Sequence, residues 1–378
     1  MNVLVNAASV KEGGPLVVFD QLLTRMHQIR EDIDWIVAIH PSVRRLRKQQ
    51  WDCAQVEVGN IDSGPLGLLR WYNVALPAVA ERFKADLVFS ITNYLPFRKL
   101  TIPTVLLVQH AGHFSKEFND LNRQHLRRPD RFAAWVMKTR WVERSVRTAK
   151  EVTVQTATLA DAIAMRTGRP RERIHAIPHG PGLVTPTPVV RSRQNGCPIR
   201  IGYITKWGVQ KNFEVLFDAV ARLIRDGRSV RLVLTLAANL PENARLIQRA
   251  EAVGIGRALE NVGEIDARRI SALYDSLDVF AFPSMVESFG FPLVEGMTKG
   301  LPIAAADTLS NREIAGEAAL FFPPTNAEVL AGIIGELIDN PSLRATRSAA
   351  AFRRAQAFSW DRAAQQTLAL FDMAVGAI

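Results

Sequence analysis

Short apolar runs punctuate the chain, each bounded by Gly, Pro or polar residues and separated by longer stretches whose apolar positions recur at helical spacing. In the first half the runs Asn2–Ala8, Asp34–His40, Val56–Gly59, Asp86–Ile91, Thr104–His110, Glu151–Gln155 and Ile174–Pro178 read as strands. They are continuous rather than alternating, as expected of a parallel sheet covered on both faces. A second set follows at Ile199–Ile204, Arg231–Leu236, Glu260–Gly263, Val279–Pro283, Leu301–Ala305 and Ala319–Pro323. Periodic segments such as Leu16–Ile29 and Phe213–Ile224 alternate with them, which predicts doubly wound α/β architecture. The stretch Leu183–Gly196 has the Pro, Thr, Gly and Asn of an exposed connection. The expected division is therefore a domain over 1–185, a linker over 186–198, a second domain over 199–358 and a closing helix over 359–378 that Ser359 caps.

Composition agrees with this division. The 378 residues are long for one core, and 48% apolar with 22% charged content is that of a soluble globular protein. Cys53 and Cys197 lie far apart without metal-ligand spacing and read as reduced packing residues. No apolar window approaches a membrane span, and Met1–Ala8 reads as a first strand, so a cytoplasmic protein is expected. The net charge of +10 calls for a partner such as nucleic acid or anionic membrane. Nine Lys/Arg stand against four acids in Lys116–Arg147, interleaved with Phe118, Phe132, Trp135 and Trp141. That segment is either a solvated helix face or a peripheral contact with anionic membrane at the inner face of the cytoplasmic membrane. Arg44–Lys48 is a second patch of the same kind.

Chemistry concentrates in Ser284–Asp307, which reads as turn, helix and strand after the run Asp278–Pro283. Gly290 and Pro292 open the helix, and the backbone N–H groups around Phe289–Leu293 suit a phosphate. Glu295, expected in the first turn, suits neutral hydroxyls such as a ribose diol, or else simply complements the helix dipole with Glu287. Lys206 and Lys211 occupy a Gly-containing strand-to-helix loop, where fixed cations would steady a departing pyrophosphate. Gly13 and Gly14 precede a Pro15-initiated helix, a second place where backbone N–H groups could meet a phosphate. His110 ends a strand. His113 follows it without an Asp, Glu or Cys in register, and Asp32-Ile-Asp34 is a bare polar turn, so no metal is expected.

The setting Pro283-Ser284-x-x-Glu287-Ser288-Phe289-Gly290-Phe291-Pro292-x-x-Glu295-Gly296-Met297 resembles the signature of the group 1 (GT4-type) glycosyltransferases with the GT-B fold. The resemblance implies two Rossmann-like doubly wound domains with a cleft between them, and a last helix that crosses back onto the first domain. It implies catalytic roles for His110, Lys206, Lys211 and Glu287, with Lys206 standing where the family usually has arginine. Donor contacts fall by the same resemblance to Gly13, Gly14, Gly263, Ile265, Ser288, Phe289, Gly290, Phe291, Leu293 and Glu295. Asn261–Ile265 resembles the base-recognition turn, Ile177–Gly180 the Pro-Asn-Gly turn with His179 in place of Asn, and Phe358–Asp361 the closing Phe-Ser-Trp segment.

The implied function is retaining, metal-independent transfer of a hexose-type sugar from a nucleoside-diphosphate sugar to a glycan or lipid-linked acceptor in cell-envelope polysaccharide synthesis. The donor is a substrate, and no further cofactor is implied. Two alternatives stand beside it: a GT-B-type sugar-nucleotide epimerase, which would need further acid/base carboxylates, and a non-catalytic basic protein binding RNA or membrane. Paired glutamates beside a phosphate-binding turn would repel a polyanion, which argues against nucleic acid.

Overall fold

A computed structural model describes residues 1–46, 53–59, 61–126, 128–184, 186 and 196–376. Most of the connection expected over 186–198, and part of the Arg44–Lys48 patch, lie outside the described residues. The chain divides into two compact units, Met1–Gly180 with Ser359–Ile378, and Pro181–Phe358.

In the first unit β1 (Asn2–Ala7), β2 (Asp34–Ile39), β3 (Ala54–Glu57), β4 (Leu87–Ser90), β5 (Thr104–Leu107), β6 (Glu151–Val154) and β7 (Ile174–Ala176) form one sheet in the order β3-β2-β1-β4-β5-β6-β7. Every pairing is parallel. Strands β4, β5 and β6 are buried throughout, which is why they read as continuous apolar runs. The edge strand β3 departs from expectation: it covers Ala54–Glu57 and not Val56–Gly59. Its register against β2, Ile36 to Ala54 through Ile39 to Glu57, fixes its limits, and no buried apolar run marks them. The helix Gly13–Ile29 takes both glycines into its first turn instead of starting after them, with Gly13 at φ +67°.

The helix Trp360–Val375, capped by the Ser359 hydroxyl, belongs to this first unit. Its Phe371 packs against Phe89 and Trp35, with ring centroids at 5.1 and 6.4 Å, while Arg30 pairs with Asp372 at 3.1 Å and Arg25 with Asp361 at 2.9 Å. His179 is buried and stacks on Trp360 at 5.0 Å. The adjacent Gly180 has no room for a side chain, since a Cβ there would sit 2.3 Å from Trp360 Cδ1 and 2.7 Å from its backbone nitrogen. Gly180→Ala is therefore expected to cost about 1–3 kcal/mol by overpacking. Urea unfolding followed by tryptophan fluorescence reads this as a lower midpoint, and an unchanged midpoint would show that Trp360 yields freely.

The basic segment folds as two helices, Lys116–Leu126 and Pro129–Thr148. Trp141, Val142 and Val146 turn into the core, while Lys138, Arg140, Arg144 and Arg147 are exposed. Of the cysteines, Cys53 is half-buried, but Cys197 is exposed and so is not the packing residue expected. No helix among the described residues is long and apolar enough to cross a membrane.

In the second unit β8 (Ile199–Tyr203), β9 (Val230–Leu234), β10 (Leu259–Asn261), β11 (Val279–Phe282), β12 (Ile303–Ala306) and β13 (Ala319–Phe322) form a parallel sheet in the order β10-β9-β8-β11-β12-β13. The helix Phe213–Arg225 covers it with Phe213, Leu216, Phe217, Val220 and Leu223 at helical spacing. Strand order reverses between β8 and β11, so the loops leaving these two strands are neighbours at the carboxyl edge. In open α/β sheets that crevice is where ligands bind.

Candidate functional site

The reversal explains why the lysine loop and the glutamate turn meet. The loop after β8 ends at Asn212, a non-glycine residue at φ +52°. Its side-chain amide donates to the carbonyls of Pro324 at 2.7 Å and Pro283 at 3.3 Å, which holds this left-handed turn against the end of β11. Just before it, the Lys211 ammonium bonds Glu287 Oε1, which also accepts the Ser284 hydroxyl at 2.6 Å. Both Lys211 and Glu287 keep only 13% of their side-chain surface exposed. Both bonds fall on Oε1, and Oε2 of Glu287 has no partner among the described residues. Beneath them the Tyr203 hydroxyl donates to the Lys211 carbonyl at 3.0 Å. Burial, and then the Glu287 charge, push that phenol well above its usual range, so it remains a donor.

The turn then enters the helix Phe291–Thr298 through Gly290 at φ +81°, where a Cβ would also lie 3.2 Å from the Phe282 ring. Only glycine takes this conformation without strain. Leu293 N–H is turned to the Gly290 carbonyl at 2.9 Å. Phe289 is buried edge-on between Phe291 and Phe358, at 5.2 and 5.5 Å. Because the helix begins at Phe291, Glu295 stands past its first turn and not within it.

Glu295 is buried, and each of its oxygens has a donor: Oε1 accepts Leu183 N–H at 2.8 Å and Oε2 accepts the Tyr274 hydroxyl at 2.7 Å. Burial raises the carboxyl above its usual range even though both donors pull it down. The chain passes so close at Gly182 that a Cβ there would lie 2.2 Å from Glu295 Oε1. Lys206 is held apart from this group: it is exposed and pairs with Glu264 at 3.2 Å, within the Asn261–Ile265 turn. That turn is shaped by Asn261, whose side chain bonds both the N–H and the carbonyl of Leu236, at 2.8 and 2.9 Å, with Gly263 at φ +73°.

In the first unit Gly13 and Gly14 follow β1 and His110 follows β5, all at the carboxyl edge of their own sheet. His110 Nδ1 accepts Gly112 N–H at 3.1 Å, so a neutral ring carries its proton on Nε2. The ring is half-buried among His113, Phe118 and Trp135. His113 is a packing residue: it stacks on Trp135 at 4.4 Å, bonds Thr139 at 2.9 Å, and is held down to about 3 chiefly by burial. Among the described residues no three His, Cys, Asp or Glu side chains are grouped to hold a metal ion.

Sequence reasoning singled out Glu287, Lys211 and Glu295 but missed the groups that hold them, namely Tyr274, Ser284, Tyr203, Asn212 and the Leu183 N–H. Asn212 had a local signal, since Asn tolerates the left-handed turn that ends a loop before a helix. Tyr274 had none.

Residues 191–354 match the sequence model of the family described as "Glycosyl transferases group 1". The chain is 28% identical over 300 residues to an MMP alpha-(1->4)-mannosyltransferase of Mycolicibacterium hassiacum, covering 76% of this chain and 69% of that protein. It is 29% identical to a GDP-mannose-dependent alpha-(1-6)-phosphatidylinositol dimannoside mannosyltransferase of Mycobacterium tuberculosis, over 64% of this chain and 65% of that one. Among solved structures it resembles Anabaena HepE in complex with UDP-glucose, with a TM-score of 0.74 and 20% identity over 99% of this chain and 100% of that chain.

Proposed function

We propose, from the premise that this chain is a group 1 glycosyltransferase of the GT-B fold, that it moves a hexose from a nucleoside-diphosphate sugar to a glycan or lipid-linked acceptor, retaining the anomeric configuration and using no metal. The observation that carries the reading is the Lys211–Glu287–Ser284 constellation beside the start of the Phe291–Thr298 helix, at the strand-order reversal. A cation, a carboxylate with one oxygen open and a helix start together suit a sugar pyrophosphate.

In this reading Lys211, still paired with Glu287, donates another of its N–H groups to the pyrophosphate as the bond from the sugar C1 to the phosphate oxygen breaks and the electron pair leaves with the nucleotide. Lys206 and the backbone at Ser288, Phe289, Gly290 and Phe291 share that charge. Glu287 Oε2 accepts a sugar hydroxyl. The acceptor oxygen bonds C1 from the face the leaving group vacates, and its proton passes to the departing phosphate. Glu295 holds the ribose hydroxyls, while Gly263 and Ile265 present backbone groups to the base. His110 is assigned to the transferred sugar, and Gly13 and Gly14 to the phosphates.

The two mannosyltransferase relatives support mannose as the hexose and GDP-mannose as the donor to try first. They also support a glycolipid or glycan acceptor, which we place in cell-envelope polysaccharide synthesis. The exposed Lys138, Arg140 and Arg144 support peripheral contact with anionic lipid at the cytoplasmic face.

Thermal unfolding with GDP-, UDP- and ADP-sugars tests the donor site. A sugar nucleotide at a hundred times its Kd is expected to stabilise the chain by about 2.7 kcal/mol. If none of the panel moves the transition, and Glu295→Ala responds like the wild type, the donor assignment is wrong.

A further inference from the structure

At the amino edge of the first unit's sheet, opposite the end that bears Gly13 and His110, lies a cavity of about 630 Å³. The residues just ahead of β5, β6 and β7 line it, among them Arg98, Lys99, Arg147, Lys150, Arg169 and Arg173, and no carboxylate lines it. Arg147 lies 3.7 Å from Glu143, and Arg173 bonds the buried Glu151, so these two are balanced. Arg98, Lys99 and Lys150 are exposed and have no carboxylate partner among the described residues.

Arg169 is fixed without any acid. Its guanidinium donates to the carbonyls of Val146 and Ala149 at 2.8 Å each, of Lys150 at 2.7 Å and of Arg173 at 3.1 Å. Burial, together with the neighbouring Arg173, holds it below its usual range. Like charges gathered in one concavity repel one another, and the fold gains nothing from Arg98, Lys99 and Lys150 standing there unpaired. Their common feature is the cavity they face, whose size is that of a small-ligand site.

We propose that this cavity is a second anion site, which takes a phosphate-bearing ligand with more than one negative charge. Lys99 and Lys150 supply mobile ammonium groups, Arg98 a guanidinium, and Arg169 the rigid positive floor. The ligand is either a soluble polyphosphate compound or the headgroup of an anionic lipid, since both present the same oxyanions to the same cations. The site is independent of sugar transfer, and its binding is read without turnover.

Isothermal titration of the full chain with inorganic tripolyphosphate tests it, comparing wild type, the double variant Lys99→Ala/Lys150→Ala and the control Arg225→Ala/Arg257→Ala. The control removes the same charge from exposed positions of the second unit, and the donor site is common to all three proteins, so its contribution cancels. The pocket variant is expected to bind about tenfold more weakly than wild type, and the control within about twofold, as befits charge-assisted contacts against bulk charge. Sedimentation with phosphatidylglycerol vesicles separates the two sources. Release of the pocket variant alone assigns the site to lipid headgroups, whereas equal vesicle behaviour with discriminating tripolyphosphate binding assigns it to soluble phosphate. Equal tripolyphosphate affinity in all three proteins, or an equal loss in both variants, overturns the proposal.

Discussion

Lys211→Ala is expected to lower kcat for sugar transfer by about 10²–10³-fold, the usual cost of deleting one preorganised donor at a developing oxyanion. The ammonium sits almost wholly shielded against Glu287, so its position is set before substrate arrives, and water screens it little. Because the pyrophosphate gains negative charge only as the glycosidic bond breaks, the loss should fall mainly on kcat, with donor KM changing less. Alanine also leaves Glu287 with the Ser284 hydroxyl as its remaining donor, so some stability is lost. Lys211→Arg separates the two effects: it keeps the charge and the pair but moves the donor, and should recover stability more fully than rate. A folded Lys211→Ala enzyme with kcat within threefold of wild type would remove this lysine from the chemistry.

Substitution of Glu295 should act on both the fold and the donor. Alanine strands the Leu183 N–H in a dry site, at about 1–3 kcal/mol, and leaves the Tyr274 hydroxyl only its longer bond to the Pro292 carbonyl at 3.4 Å. Glutamine should cost less, because its oxygen can still accept from one partner while its NH₂ donates to the rotatable Tyr274 hydroxyl. The pH dependence has a definite sign. Burial raises the Glu295 carboxyl above its unfolded value, so the folded state favours the protonated acid. Its contribution to stability is therefore full below the ordinary carboxylate range and is lost as pH rises through the raised value. Urea midpoints across mildly acidic pH should show a decline in the wild type that Glu295→Gln flattens. Parallel curves for the two proteins would mean that the carboxyl titrates normally.

The interior strands of both sheets were visible as apolar runs, because a parallel strand buried on both faces leaves an uninterrupted signature, which the part-exposed edge strands β3 and β10 lack. The limits failed where pairing rather than burial decides, as at β3. Within the site the residues that would touch substrate were legible because they share one short turn and one loop. Their supports were not, since the contact of Tyr274 with Glu295 or of Leu183 with the same carboxylate depends on how a helix and a returning segment lie over the sheet. Lys206 and Lys211 shared one expected role in sequence, with Lys206 standing where the family usually has arginine, yet one loop carries them to different carboxylates, Glu264 and Glu287. The cations of the amino-edge cavity were invisible as a group, because only the stacking of parallel strand starts brings Arg98 near Arg173.

The return of Trp360–Val375 to the first unit bears on how the chain is made. Trp35 and Phe89 are translated early, but Phe371, which covers them, emerges only after all of Pro181–Phe358. At about 5–20 residues per second that interval is roughly 10–40 s. The second unit can complete its sheet on the ribosome, while the first to be translated must wait with aromatic surface uncovered. Premature termination after Phe358 but before Phe371 would thus leave the early unit, and not the completed late one, as the sticky species that chaperones must hold.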